Sequence, residues 1–338
     1  MKYIKIKTPV KYLINTVLIV VLLFVGNAIF TGGGLPRATK SVILQCGIYS
    51  ILAASLNICT GYLGQLPLGH AGFMAVGAYV GALFWKAVPA LPAAAAIVLG
   101  LIIAGIVSAL FGILIGIPAL RLKGDYLAII TLGFGEIIRI VIINLPGITG
   151  GTPGLLNIPK HTSFVLVFIC LVICCYVIHA VMHSRHGRAI LSIRDNEIAA
   201  ECSGINLTHY KVFAFALSAF FAGVAGALYA GFQGSLFPSN FGFMQSINIL
   251  VMVVLGGMGS MTGSVIAATV LTALPSLMQD LANLRMLIYS LLLIVVMIFK
   301  PSGLMGQKDI SVVKGIEYLL NFKYRKAQRS AKEGNENE

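Results

Sequence analysis

Charge is what this sequence has least of. Only 10% of its 338 residues are Asp, Glu, Lys or Arg, whereas 58% are hydrophobic. Soluble domains carry about 25% charged residues, and a soluble core could not remove this much apolar surface from water. No segment is polar enough to form a separate soluble domain. The composition therefore excludes an ordinary soluble enzyme and predicts that lipid surrounds most of the chain.

Motifs for nucleotide hydrolysis and for other catalysis are also missing. The Walker A pattern G-x-x-x-x-G-K-[ST] does not occur, and the Gly-rich stretch "GGMGSMTG" (Gly256–Gly263) contains no lysine. Neither a nucleophile elbow nor an H-E-x-x-H motif is found. We therefore predict that the chain is not an enzyme. If it transports a solute actively, another subunit or an ion gradient must supply the energy.

Metal and cofactor motifs are equally scarce. The six cysteines form no C-x-x-C pair and no metal-ligand spacing, so we interpret them as small packing residues. His179, His183 and His186 share a helix face, but no carboxylate or thiol supports a metal site there. We expect no metal and no cofactor.

Long apolar runs are what the sequence has in abundance, and they predict an all-α, polytopic bundle of about eight to ten transmembrane helices. A helix that spans the bilayer needs about 20 mostly apolar residues. The stretch "LGGMGSMTG" separates two short runs, which form either two thin crossings or one re-entrant pair against protein or water. The runs are Tyr12–Phe30, Ser41–Thr60, Gly69–Trp85, Leu91–Pro118, Tyr126–Leu145, Ser163–Met182, Lys211–Phe232, Gln245–Gly257, Thr262–Ser276 and Arg285–Phe299.

The basic residues alternate between the two sides of the predicted bundle. Eighteen of the 24 lysines and arginines fall before the first run, in every second loop, or after Phe299. The positive-inside rule therefore predicts that both termini are cytoplasmic, and it explains the net charge of +13 without nucleic acid. We expect a basic N-terminus (1–11), a transmembrane domain (12–304) whose first helix is retained, and a basic amphipathic or disordered tail (305–338) at the lipid headgroups.

Few ionisable residues lie inside the apolar runs, and such residues are functional candidates by default. They are His70 in "GQLPLGHAGF", and Glu136 and Arg139 in "LGFGEIIRI". Glu136 and Arg139 are three residues apart, so they can pair on one helix face. The pair either lines a passage or fixes helix packing. Two such residues of opposite sign make a poor proton relay.

One mixed-charge stretch, Ser184–Lys211, interrupts the apolar sequence. In it, "DNEIAAECSG" predicts a short helix capped by Asp195 or Asn196 and ended by Gly204. Small apolar positions between charged ends suggest a docking surface for a partner. A solvated connector is the alternative.

This stretch resembles the cytoplasmic coupling loop of the permeases of branched-chain amino acid ABC importers, and of their M-type subunit in particular. Similar blocks occur in order along the chain, although Pro67 replaces the usual serine and Ile198 replaces the glutamate of the E-A-A-x-x-x-G pattern. The blocks are "TGYLGQLPLGHAGFMAVGAYVGA" (60–82), "PALRLKGDYLAIITLGFGEIIRI" (118–140), "TGGTPGL" (149–155), the segment 187–230 and "SINILVMVVLGGMGSMTGSVIAA" (246–268).

The resemblance implies an amino acid importer in the cell membrane of a prokaryote. Its implied partners are two cytoplasmic ABC ATPases, a sister permease and an extracytoplasmic substrate-binding protein. The coupling loop (184–211) would contact the ATPase through Arg188, Arg194, Asp195, Asn196, Glu197, Ala199, Ala200 and Gly204. The candidates for translocation or gating are Gly64, Gln65, His70, Glu136, Arg139, Gly256, Gly257 and Gly259.

Two other functions are compatible with the sequence. A permease for urea, short amides or another small solute would share the fold and differ in substrate. A channel or carrier that needs no ATP belongs to a different class, and its transport would continue without any ATPase.

Overall fold

A computed structural model gives the fold of the chain. The structure describes residues 8–32, 34, 36–89, 91–122, 124–277, 290–291, 294, 298–300 and 303–306. Several predicted features lie wholly or mostly outside these residues. They are Lys123, residues 1–7 of the basic N-terminus, most of the last run (Arg285–Phe299) and the tail beyond Gly306.

The described part of the chain is all-helical, as predicted, and contains twelve α-helices. Eight of the predicted runs up to Gln245–Gly257 start and end within about five residues of a helix, because apolar length dictates where a membrane helix forms. The helices are α1 (Thr8–Thr31), α2 (Arg37–Asn57), α3 (His70–Ala87), α4 (Ala93–Ala119), α5 (Asp125–Ile143), α6 (Pro146–Thr149), α7 (Phe164–Met182), α8 (Arg185–Asp195), α9 (Glu197–Cys202), α10 (Leu207–Gln233), α11 (Phe243–Gly256) and α12 (Met261–Leu277).

Five of the described helical segments are long and apolar enough to cross a membrane. They are Arg37–Tyr62, Ala93–Ala119, Asp125–Ile143, Phe164–Met182 and Leu207–Gln233. By contrast, α11 has 14 residues and would be only about 21 Å long, less than the roughly 30 Å of the hydrocarbon core. The count of eight or ten crossings stays a prediction.

The chain divides into two compact units, one comprising 1–34 with 309–338 and the other Leu35–Lys308. The described part of the first unit is α1 and the turn after it. Near the end of α1, the Thr31 hydroxyl donates to the carbonyl of Asn27 at 2.7 Å. Large apolar side chains on its second half, such as Phe24, are exposed, as expected for a helix in lipid.

Helix α10 is the centre of the second unit and packs most extensively against α4 and α3. Glycine makes this close packing possible. A Cβ on Gly77 of α3 would overlap with the backbone of Gly223, and a Cβ on Gly226 would overlap with the carbonyl of Met74. Small residues at helix contacts are typical of membrane bundles, where close backbone approach provides the packing energy.

Helix α2 is broken at its end. It continues as a π-helical turn (Ile58–Tyr62), and the chain is then non-helical up to Gly69. This connection lies against α5, because Leu68 N–H donates to the hydroxyl of Thr131 at 3.0 Å. A second break, Gly257–Ser260, joins α11 to α12. Gly257 and Gly259 have φ of 110° and 93° there, which only glycine adopts readily.

The connection between α6 and α7 is held to the end of α10. Leu155 and Leu236 form an antiparallel bridge with backbone hydrogen bonds of 2.9 and 2.8 Å. Gly150, Gly151 and Gly154 in "TGGTPGL" all have positive φ, so this turn depends on glycine.

Candidate functional site

The mixed-charge stretch folds into two helices rather than the one that the sequence predicts. Helix α8 begins after Ser184, whose hydroxyl caps it by accepting from Gly187 N–H, and it buries Gly187, Ile190 and Ile193. The sequence analysis missed this helix. The available signal is the serine cap followed by apolar residues at positions 190 and 193, which share a helix face.

Helix α9 is capped as predicted at both ends. The side-chain oxygen of Asn196 accepts from Ala199 N–H at 3.0 Å. At the other end Gly204 has φ of 82°, and the N–H groups of Gly204 and Ile205 donate to the carbonyls of Glu201 and Ala200. This pair of bonds is the Schellman motif, which satisfies carbonyls at a helix end.

Helix α9 is attached by one side and exposed on the other. Ala200 is buried, whereas Ile198 is 72% exposed and Ala199 is exposed beside it. Arg188, Asp195, Asn196 and Gly204 are also exposed.

Glu197 differs from its exposed neighbours because it faces the bundle. Its carboxylate forms an ion pair with the ammonium group of Lys211 in α10, and the Lys211 side chain is only 5% exposed. This contact fixes α9 to the start of α10.

Arg194, at the end of α8, connects the helix pair to the broken end of α2. Its guanidinium donates to the carbonyl of Gly61 at 3.1 Å and to the carboxylate of Asp195 at 3.1 and 3.2 Å. Its side chain also covers Gly64, where a Cβ would be 2.7 Å from Arg194 Cγ. The structure therefore brings Gly64 together with the loop residues.

The predicted intramembrane pair forms as expected. Arg139 Nε donates to Glu136 Oε2 at 2.7 Å, and both side chains are about 30% exposed. The other oxygen, Glu136 Oε1, accepts from the backbone N–H of Phe243 at 3.0 Å. Glu136 thus links α5 to the first residue of α11, where the positive end of the helix favours a carboxylate.

Gln65 lies in the break after α2, and His70 is the first residue of α3 directly after that break. His70 is 2% exposed, and its Nε2 is 2.9 Å from the hydroxyl of Ser55, which donates to the carbonyl of Leu52. These bonds hold the imidazole in the core. The Gln65 carboxamide oxygen is buried and has no hydrogen-bond partner within the described residues.

Asn57 holds the second break in place through two hydrogen bonds. The sequence does not predict this role of Asn57. Its carboxamide accepts from Gly259 N–H at 2.9 Å and donates to the carbonyl of Ser260 at 3.0 Å. Gly256 closely contacts Gly263, and its carbonyl accepts from Met305 N–H at 3.2 Å. The two Gly-rich breaks therefore meet, and the residue that joins them is a buried asparagine.

A cavity of about 320 Å³ lies between α2, α3, α10 and the start of α11, and none of these candidates lines it. The sequence does not predict this cavity, because its residues come from α2, α3, α10, the 3-10 turn Pro238–Phe241 and α11. The only local signal is the polar pair Gln245 and Asn248 in an apolar run. The lining residues are Tyr49, Met74, Tyr229, Ser239, Asn240, Gly242, Met244, Gln245 and Asn248.

Comparison with known proteins gives a consistent result. The family described as "Branched-chain amino acid transport system / permease component" matches residues 38–299. The chain is 36% identical over 311 residues to the high-affinity branched-chain amino acid transport system permease proteins LivM of Salmonella typhimurium and Escherichia coli, covering 80% of this chain and 70% of each relative. It is 27% identical over 135 residues to LivH of Salmonella typhimurium, covering 39% of this chain and 44% of LivH. No solved structure matches the chain.

Proposed function

Because the chain belongs to the family of branched-chain amino acid transport permeases, we propose that it is the permease subunit of an ABC importer for branched-chain or related hydrophobic amino acids. The observation that carries this proposal is its similarity to LivM, which covers 80% of the chain. The family match, over residues 38–299, includes both Gly-rich breaks and the helix pair α8–α9. The chain translocates the solute and leaves ATP hydrolysis to partner subunits.

The chain is a multi-pass membrane protein, and we place it in the cell membrane of a prokaryote with both termini in the cytoplasm. The distribution of lysine and arginine supports this orientation. With this topology α8 and α9 are cytoplasmic, which suits their charged and exposed residues. The start of α11 and the end of α10 then face outward.

The helix pair α8–α9 is the proposed contact with the ATPase. Ile198 and Ala199 present an apolar surface of small area, and Arg188, Asp195, Asn196 and Gly204 surround it. Ala200 and the Glu197–Lys211 ion pair hold α9 in place from below. A short helix fixed on one side can transmit the movement of a partner that grips the other side.

Arg194 would pass that movement into the membrane. It bonds the carbonyl of Gly61 in the π-helical turn, and Asn57, one turn earlier, clamps the Gly257–Ser260 loop. A shift of α8 therefore acts on both Gly-rich breaks. Gly64, Gln65, Gly256, Gly257 and Gly259 are proposed to change conformation in the transport cycle, whereas His70 anchors the start of α3.

The similarity to both LivM and LivH supports a second, related permease as partner. We further propose two ATPase subunits and a substrate-binding protein on the outer side. The partly exposed Glu136–Arg139 pair supports the permease contact, since a charged pair is costly in lipid and is expected to face protein or water.

The test is uptake of labelled leucine, urea and ribose by proteoliposomes that contain the complete complex. We expect leucine uptake that requires ATP, both ATPase subunits and the binding protein. Uptake of urea or ribose instead would assign the chain to another solute of the same family. Leucine uptake that continues without the ATPases would identify an ATP-independent channel or carrier and refute the importer.

A further inference from the structure

The polar cavity has a composition that the coupling and gating roles do not explain. Six of its nine lining residues carry neutral hydrogen-bonding side chains, and four of these lie on α2, α10 or α11: Tyr49, Tyr229, Gln245 and Asn248. Ligand pockets of membrane and soluble proteins alike are concave and carry a few convergent polar groups, with volumes from about 300 Å³ upward. The cavity reaches this size.

The hydrogen bonds in the cavity leave its best donors and acceptors available. Gln245 Nε2 donates to the hydroxyl oxygen of Tyr49 at 3.1 Å, and Asn240 Nδ2 donates to that of Tyr229 at 3.4 Å. Each tyrosine therefore keeps its own O–H proton to donate, and each carboxamide keeps its oxygen to accept. The carboxylate of a ligand can accept from the tyrosine hydroxyls, and its ammonium group can donate to the carboxamide oxygens.

Asn248 strengthens the case for a polar ligand. It is exposed on α11, one turn after Met244, and it makes no hydrogen bond within the described part of the chain. A carboxamide that faced lipid in an apolar helix would carry a desolvation cost of a few kcal/mol. A cavity that admits water or solute removes that cost.

The cavity also has an apolar side but no ionised lining residue. Met74 and Met244 provide flexible thioether side chains that adapt to different aliphatic shapes. The carboxylate of Glu136 lies behind Gly242 and is neutralised by Arg139. A solute with net charge would find no counterion here, whereas a zwitterion is neutral overall and brings both of its charges.

We propose that this cavity is a transit site that binds a zwitterionic aliphatic amino acid during its passage. The tyrosine hydroxyls would hold its carboxylate, the carboxamide oxygens its ammonium group, and the methionines its side chain. The inference rests on the proposed function and adds that this chain contacts the substrate itself. The site lies near the end of α10 opposite to α8 and α9, since Tyr229 is four residues from the end of that helix.

The test compares leucine uptake by the complete complex with three variants of this chain. Tyr49→Phe/Tyr229→Phe removes two hydroxyl groups and keeps the ring shapes, and Asn248→Leu changes a side chain with no internal bond to lose. We expect each cavity variant to lower uptake about tenfold when the substrate-loaded binding protein is present at a saturating concentration. A loss of this size corresponds to one or two hydrogen bonds to a charged group. Tyr176→Phe, on the exposed side of α7, is the matched control and should transport like the wild type.

Assembly is measured in parallel by co-purification of the ATPase subunits. Normal assembly with reduced uptake supports the site. Uptake within twofold of wild type in both cavity variants would overturn it and leave the importer function intact. If the wild-type complex itself does not take up leucine, the proposed function fails, so the two failures are distinguishable. If Tyr49→Phe/Tyr229→Phe does not assemble, Asn248→Leu decides alone.

Discussion

At the scale of single residues, Arg194 is the side chain with the most consequential contact. It lies in the helix pair α8–α9, but its guanidinium donates to the carbonyl of Gly61 at the end of α2, 133 residues earlier in the chain. A guanidinium can hold a carbonyl and a carboxylate together because its donors are planar and fixed in direction. Arg194 therefore joins α8 to the π-helical turn Ile58–Tyr62, two elements that are far apart in the sequence.

We predict that Arg194→Ala weakens the mechanical link between the ATPase and the membrane helices without releasing the ATPase. The variant loses charge-assisted hydrogen bonds worth about 1.5–3 kcal/mol, so leucine uptake and the stimulation of ATP hydrolysis by the binding protein should fall about tenfold. Both are measured in proteoliposomes, with co-purification as the test of assembly. Arg185→Ala, an exposed arginine of the same helix, is the control. Uptake within twofold of wild type in Arg194→Ala would contradict the link.

The Glu136–Arg139 pair shows how far sequence reasoning reaches at this scale. A spacing of three residues on one helix is enough to predict the bond, because helix geometry alone brings the side chains together. The second contact of Glu136, with Phe243 N–H, crosses between elements 107 residues apart. No local pattern indicates it, and the same is true of Asn57 and the Gly257–Ser260 loop.

At the scale of elements, glycine decides how closely the helices approach. Gly77 and Gly223 let α3 and α10 touch backbone to backbone, whereas Gly133 in α5 has nothing within 4 Å of the position of its Cβ. Identical substitutions at these two positions should therefore have opposite effects.

We predict that Gly77→Ala destabilises the chain by about 2 kcal/mol, since an overpacked contact must move two helices apart. Gly133→Ala should be neutral or slightly stabilising, because alanine favours the helix and meets no neighbour. The thermal midpoint of the purified chain in detergent measures both. A midpoint for Gly77→Ala equal to that of the wild type would show that the α3–α10 contact is looser than the structure indicates.

The same scale explains why the sequence predicts some elements and not others. Apolar runs such as Leu91–Pro118 are located correctly because length and hydrophobicity suffice to form a membrane helix. Helix α8 is short and amphipathic, so its signal is a cap and two buried isoleucines, which a polar loop hides. The cavity has no local signal because Tyr49, Tyr229 and Gln245 come together only when α2, α10 and α11 pack.

At the scale of the whole molecule, α10 connects the two proposed sites. It has 27 residues and is about 40 Å long, with Lys211 and α9 at its start and Tyr229 near its end. Its middle packs on α3 and α4 through small residues, so we expect it to move as a rigid body if it moves at all. A movement of α8 and α9 would therefore reach the cavity through displacement of α10. The residues that bind the substrate in the cavity are different from those that contact the ATPase.

This separation predicts that the two classes of variant differ in the amount of leucine carried per ATP hydrolysed. In Asn248→Leu the contact between α8–α9 and the ATPase is unchanged, so the binding protein should still stimulate ATP hydrolysis. Uptake should fall, and the leucine-to-ATP ratio should therefore drop about tenfold. In Arg194→Ala the link between the ATPase and the membrane helices is weakened, so stimulated hydrolysis and uptake should fall together. The leucine-to-ATP ratio should then change by less than about threefold. For each variant, labelled leucine and released phosphate are measured in the same proteoliposome preparation. Equal ratios in the two variants would mean that the cavity and the coupling helices act on the same step, because residues that share no contact are otherwise expected to act independently.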